Sequence, residues 1–164
     1  MRRRYYIYVC LIALLILGNF NTSWGYTADG EWYKHLTFHF AHASIWHLAC
    51  NALCFYIITR RRVSWGEVGI SLLIATLSSF IAPHALPTVG LSGLIYALFG
   101  MRLARCRNIS KNSLIKFALF LLLPILTGKV NVLLHLLCVG IGYLAIYTKD
   151  QLKRIQTDAT RCHR

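Results

Sequence analysis

The sequence predicts an all-α polytopic membrane protein that folds as a single domain over residues 1–164. Two observations lead to this fold class. Hydrophobic residues make up 57% of the chain and charged residues only 14%, whereas soluble domains are about 45–50% apolar and about a quarter charged. The apolar residues also form long runs separated by short clusters of Lys and Arg, which is typical of membrane spans and their loops.

Six apolar segments are candidate spans of a compact helical bundle. They cover residues 5–20, 45–59, 67–82, 91–105, 113–127 and 130–147. Several are shorter than the roughly 20 residues that a solitary span needs. A compact bundle accommodates short helices by thinning the bilayer locally, so their length is compatible with six spans.

The basic residues predict the orientation of these spans. If all six are threaded, every Lys and Arg lies on one side except Lys34 and Lys129. By the positive-inside rule, both termini are then cytoplasmic. The longest outer loop, about 21–44, is rich in Trp, Tyr and Phe, and we expect it to lie partly in the membrane interface.

The net charge of +13 could suggest a nucleic-acid partner. The charges do not form a solvated basic face, however, because they fall in short clusters between apolar stretches. We therefore expect the lipid bilayer, and no nucleic acid, as a partner.

Three of the segments carry polar side chains near the same membrane face. The predicted topology places His47 and Asn51 near the outer end of the second span, four residues apart on one helix face. Ser92 lies near the outer end of the fourth span, and His135 lies about 9 Å into the sixth, at roughly 1.5 Å per residue. Ionisable groups inside a membrane usually face the bundle interior or a wet cavity. We therefore expect these residues to meet in one outer-facing cavity.

Acyl transfer is the chemistry that this set of residues suits. A serine hydroxyl becomes a strong nucleophile when a histidine takes its proton, which makes Ser92 and His135 the candidate catalytic pair. His47 and Asn51 are candidate donors to the oxyanion, together with the backbone amide of the serine. The acidic residues lie in predicted loops or tails, so the sequence predicts a dyad rather than a triad. Tyr96, one turn after the serine, is expected to stack against the histidine ring.

Structural explanations of the same residues stay open at this point. Small residues recur along the fourth span, at Gly90, Gly93, Ala97 and Gly100. This spacing by itself indicates close helix packing. His47 and Asn51 could likewise join helices by hydrogen bonds, and His135 could be a satisfied core histidine.

A metal or haem site is another alternative, because several histidines cluster in and after the outer loop: His35, His39, His42 and His47. A haem site between helices would need paired histidines on facing spans, and this sequence does not supply them. No metal and no cofactor is therefore expected.

The polar motifs resemble those of the rhomboid family of intramembrane proteases. Residues 42–51 fit the family's H-x4-H-x3-N pattern on its second helix. Residues 90–100 fit its G-x-S-G-x2-Y-A-x2-G pattern on the fourth helix, and His135 takes the position of the catalytic base. The order of the motifs and the six-helix layout also agree, so the resemblance extends over almost the whole chain.

This resemblance implies a rhomboid-type bundle that cleaves transmembrane or membrane-anchored protein substrates without a metal or cofactor. Ser92 would be the nucleophile and His135 the base. The oxyanion donors and supporting residues would be His47, Asn51, Tyr96, Gly90 and His42. The protein would be a multi-pass protein of the bacterial inner membrane, with its active site open to the outer side.

Within the family, residues 37–42 and the short chain are most similar to the rhombosortase branch, whereas Tyr96 and Ala97 are more similar to general rhomboids. Rhombosortases are thought to process exported proteins that carry a glycine-rich C-terminal membrane tail. A catalytically weak or inactive relative that binds transmembrane helices is the alternative function.

The last helix departs from the family pattern. Family members tend to carry Ala-His-x-x-Gly there, whereas this chain has Leu134 before the histidine and Cys138 three residues after it. We expect these bulkier side chains to hold the sixth span away from the fourth and to lengthen the approach of His135 to the serine. Gly140 and Gly142 are expected to restore close packing further along the helix.

Overall fold

A computed structural model of the protein describes residues 20, 22–60, 63–106 and 130–162. The described residues form five α-helices and no strand. These are α1 (Lys34–Thr37), α2 (Ile45–Thr59), α3 (Trp65–Ile81), α4 (Ser92–Arg105) and α5 (Val132–Cys162). The predicted all-α class is thus confirmed for this part of the chain. The predicted spans 5–20 and 113–127 lie outside the described residues, apart from Phe20.

Serine caps fix where two of the helices begin. The Ser44 side chain accepts a hydrogen bond from the backbone N–H of His47 at the start of α2. At α3, Ser64 and Glu67 form a reciprocal capping box in which each side chain accepts from the other residue's backbone N–H. Such caps satisfy amide groups that a helix leaves without partners in its first turn.

The central helix of the described part is α4, which packs against α2, α3 and α5. Most of its residues are buried, including Leu94, Ile95 and Leu98. Its contact with α5 is close because glycines lie at the crossing. A Cβ at Gly100 would overlap the Val139 carbonyl oxygen, and a Cβ at Gly142 would overlap the carbonyl oxygen of Ala97.

The helix lengths differ from those of solitary membrane spans. Among the described helices, only the stretch Val132–Thr157 of α5 is long and apolar enough to cross a membrane by length and composition, while α2 and α3 are shorter apolar helices. α5 also continues well beyond the predicted segment 130–147, to Cys162. Hydropathy cannot locate this end, because the helix passes from apolar into polar residues without a glycine or proline to stop it.

The predicted outer loop packs onto the C-terminal end of α3. His35 Nδ1 lies 2.8 Å from Ser79 Oγ, and His39 Nε2 lies 2.9 Å from Thr76 Oγ1. Within the loop, Tyr26 and Phe38 are buried, whereas Trp32 is 69% exposed. Burial lowers the pKa of His39 to about 3, so its ring is neutral at physiological pH.

Candidate active site

Ser92 is the first residue of α4, directly after a sharp change in backbone direction. The change occurs at Gly90, which has a φ of 109°. Residues with a side chain rarely adopt this conformation, whereas glycine has no Cβ to oppose it. The Gly90 N–H donates to the Phe38 carbonyl at 2.8 Å. The outer loop thereby holds the segment that presents Ser92 at the N-terminus of α4.

The structure brings Ser92 and His135 into direct contact. Ser92 Oγ lies 2.9 Å from His135 Nε2, although the two residues belong to different helices. His135 lies in the first turn of α5 and is only 5% exposed. For Nε2 to accept the serine proton, the neutral imidazole must carry its own proton on Nδ1.

The prediction that bulky neighbours of His135 lengthen this contact is wrong. Leu134 and Cys138 are both fully buried, yet the histidine still reaches Ser92. Both side chains face α4 at Gly93, where even a Cβ would be in ordinary van der Waals contact with them. A Cβ at Gly93 would lie 3.6 Å from Cys138 Sγ and 3.7 Å from Leu134 Cδ2. Only one of the two glycines predicted to restore close packing lies at the crossing with α4. This is Gly142, whereas nothing lies within 4 Å of a Cβ at Gly140.

Tyr96 lies one helical turn after Ser92, and its ring stacks on His135. The ring centroids are 4.0 Å apart and the ring planes differ by 23°. Both rings are buried. The stack restricts rotation of the imidazole, so Nε2 stays directed at Ser92 Oγ.

His47 and Asn51 in α2 face the backbone of Gly90. A Cβ at Gly90 would lie 2.9 Å from both His47 Nε2 and Asn51 Nδ2. His47 Nδ1 accepts from the Ala43 N–H at 3.4 Å, so in the neutral ring Nε2 carries the proton and is a donor. Asn51 Nδ2 is buried without a hydrogen-bond partner among the described residues. Two donors therefore point at the space beside the segment that precedes Ser92.

His42 lies beside this pair, next to His47. It is fully buried, and its ring packs edge-on against His47 with centroids 5.3 Å apart. Neither of its ring nitrogens has a hydrogen-bond partner of normal geometry in the described part of the chain. Burial, and secondarily His47, lowers the pKa of His42 to about 4, an effect that the nearby Phe40 carbonyl partly offsets.

Two of the acidic residues with described side chains are held in ion pairs with basic residues. Glu67 pairs with Arg105, and Glu31 pairs with Lys34 at 2.7 Å. Residues 22–60, 63–106 and 130–157 contain no group of three His, Cys, Asp or Glu side chains that could hold a metal ion. Two of the outer-loop histidines of the metal hypothesis, His35 and His39, bond to hydroxyl groups of α3.

A buried polar network near the start of α5 was not found from the sequence. Asn131 bonds to Tyr26, and both bond to the Ala82 carbonyl. Asparagine directly before a helix is a capping signal, but nothing in the sequence shows that its partners lie in the outer loop and at the end of α3.

Comparison with known families identifies one match. The model of the Rhomboid domain matches residues 29–149, which is more than half of the 164-residue chain. The matched range contains all of the candidate site residues. Comparisons with curated proteins and with solved structures find no match.

Proposed function

This chain belongs to the rhomboid family, whose members are intramembrane serine proteases, and from this premise we propose that it is itself an intramembrane serine endopeptidase. The observation that carries the proposal is the 2.9 Å contact between Ser92 Oγ and His135 Nε2. A serine hydroxyl at this distance from a neutral imidazole can transfer its proton as it attacks a carbonyl carbon.

In the proposed reaction, Ser92 Oγ attacks the scissile carbonyl and His135 Nε2 takes the hydroxyl proton. The tetrahedral intermediate then collapses, the peptide C–N bond breaks, and the imidazolium gives its proton to the leaving amine. Water then attacks the acyl-enzyme while His135 again accepts a proton. The ester C–O bond to Ser92 breaks, the imidazolium returns the proton to Ser92 Oγ, and the new carboxyl group is released. The Tyr96 stack keeps the ring in place through both half-reactions, so no carboxylate partner is required.

The intermediate's negative oxygen needs fixed donors, and three candidates lie at Ser92 or beside Gly90 in the segment that precedes it. They are the backbone N–H of Ser92 at the start of α4, Nε2 of His47 and Nδ2 of Asn51. The unpartnered state of the Asn51 amide supports this role, because a buried donor without a partner costs roughly 1–3 kcal/mol unless a ligand satisfies it. The N-terminus of α4 adds its dipole, which favours negative charge.

The proposed substrates are transmembrane or membrane-anchored proteins, cleaved near the outer face of the membrane. We propose the six-span topology with cytoplasmic termini, in the bacterial inner membrane, because the basic residues divide in this way. The finer proposal, based on the similarity of residues 37–42 to rhombosortases, is processing of exported proteins with a glycine-rich C-terminal membrane tail. An inactive relative is the weaker alternative, since Ser92 and His135 are both retained and in contact.

The experiment uses the full chain in proteoliposomes with a fluorophosphonate probe, which labels activated serines, and with a model substrate that has a glycine-rich segment before its C-terminal span. Ser92→Ala should abolish labelling, and Ser92→Ala or His135→Ala should lower cleavage by about 10⁴-fold or more. Ser78→Ala, a buried serine in α3, and His84→Gln in a loop are the matched controls and should keep activity. Cleavage that survives Ser92→Ala would refute the dyad.

A further inference from the structure

We infer that Asn131 is a positioning residue that sets the place of His135 relative to Ser92, an inference that rests on the proposed function. Asn131 directly precedes α5, and its side chain is almost fully buried. Every polar atom of its amide is engaged by a different part of the protein. Asn131 therefore joins α5, which carries the base His135, to two other elements. Neither of these carries the nucleophile Ser92.

The hydrogen bonds of Asn131 use both donors and the acceptor of its side-chain amide. Its Oδ1 accepts from the Leu134 N–H at 3.0 Å, which caps the first turn of α5. Its Nδ2 donates to Tyr26 Oη at 2.8 Å and to the Ala82 carbonyl at 2.9 Å. The Tyr26 hydroxyl in turn donates to the same carbonyl at 3.1 Å. Only a side chain with one acceptor and two donors satisfies all of these groups.

The position of this network explains how it acts on His135. The backbone carbonyl of Asn131 accepts from the His135 N–H at 3.3 Å, so the base lies one helical turn after the anchor. The Ala82 carbonyl belongs to the end of α3, and Tyr26 belongs to the outer loop, which also holds Gly90 through Phe38. Bonds to both elements fix the axial position and the rotation of the first turn of α5.

The expected effect on the reaction rate comes from the displacement of His135 rather than from a loss of folding stability. Loss of one or two of these hydrogen bonds weakens folding only modestly, so a helix of this length stays packed. In contrast, a displacement of about 1 Å between reacting groups can cost up to roughly 10²-fold in rate. The contact between Ser92 and His135 is therefore the sensitive quantity.

The experiment compares three variants of the full chain in proteoliposomes. Asn131→Ser retains a capping oxygen and loses the two amide donors, Asn131→Ala loses both functions, and Tyr26→Phe removes one partner while keeping the ring. We expect kcat and the probe-labelling rate to fall about 10–100-fold in Asn131→Ala and less in the other two, with KM unchanged. Unchanged KM distinguishes a displaced base from weakened substrate binding.

Ser71→Ala is the matched control, because it removes a buried contact between Ser71 Oγ and Met101 Sδ (3.7 Å) that joins α3 to α4. If the Asn131 and Tyr26 variants lose only thermal stability, as this control does, the inference is wrong. If Asn131→Ala fails to fold, Asn131→Ser and Tyr26→Phe still test the inference. Should Ser92→Ala abolish labelling while the Asn131 variants keep the wild-type kcat, the positioning role alone fails; if labelling survives Ser92→Ala, both proposals fail.

Discussion

The absence of a side chain at Gly90 determines how closely α2 can approach the segment before Ser92. The glycine has a backbone conformation that disfavours any Cβ, with a φ of 109°. The space that a Cβ would occupy is bordered by His47 Cε1 at 2.8 Å and by the two proposed donors at 2.9 Å. One glycine thus allows both the turn into α4 and the approach of the donors.

Gly90→Ala should therefore impair turnover more than folding. The added methyl group would push His47 and Asn51 away, and loss of oxyanion donors costs about 10²–10³ in kcat. The strained φ should cost a further ~1–3 kcal/mol of stability. Cleavage rates and thermal denaturation in detergent would measure the two effects. Gly69→Ala is the control, because nothing lies within 4 Å of a Cβ there, and equal losses in both variants would contradict the argument.

The individual site residues could be predicted where the proposed chemistry requires a particular type of side chain. Ser92, His135 and the i,i+4 pair on α2 are polar groups in apolar helices, and the structure places them close together. Asn131 and Tyr26 could not be found in this way, because they are 105 residues apart in sequence. The effect of Leu134 could not be predicted for a related reason, since it depends on how its side chain packs near Gly93 in another helix.

The contact between α4 and α5 connects helix packing to the proposed chemistry. Ser92 begins one helix, and His135 lies in the first turn of the other. Two turns further along α5, Gly142 meets the Ala97 carbonyl oxygen so closely that a Cβ would overlap it. The helices can approach to this distance only where side chains are missing, and the same approach keeps the serine within reach of the histidine.

Gly142→Ala and Gly140→Ala form a matched pair that tests this dependence. The first should force the helices apart, lower stability by about 1–3 kcal/mol as overpacking does, and slow probe labelling by about tenfold or more. The second should change neither, because a Cβ at Gly140 meets nothing within 4 Å. Thermal denaturation and labelling rates provide the measurements. Similar behaviour of the two variants would show that the crossing distance does not control the site.

Helices were predictable where an apolar run coincides with a capping signal. The segment 45–59 is helical as Ile45–Thr59, because Ser44 caps it where the apolar run starts. The end of α5 was not predictable from hydropathy, since its polar residues continue the helix to Cys162. The start of that helix is set by Asn131, whose partners are tertiary.

The outward faces of the described helices are apolar. Large hydrophobic side chains that are about half exposed occur on α2, α3 and α5, including Leu53, Leu73, Leu77, Leu136 and Leu144. In water, apolar area of this extent would favour aggregation, whereas in a bilayer the lipid tails solvate it. The family implies an integral membrane protein, and these faces are consistent with that environment.

The topology can be tested by reporter fusions. Since all basic residues except Lys34 and Lys129 lie on one side of six threaded spans, a fluorescent protein that folds only in the cytoplasm should be fluorescent when fused after Arg164. Alkaline phosphatase, which is active only outside, should be inactive there. The phosphatase should instead be active when fused after Ala85, because an odd number of predicted spans precedes this loop. Phosphatase activity at both positions would mean that one predicted span does not cross the membrane, and the outer-facing site would then need a different orientation.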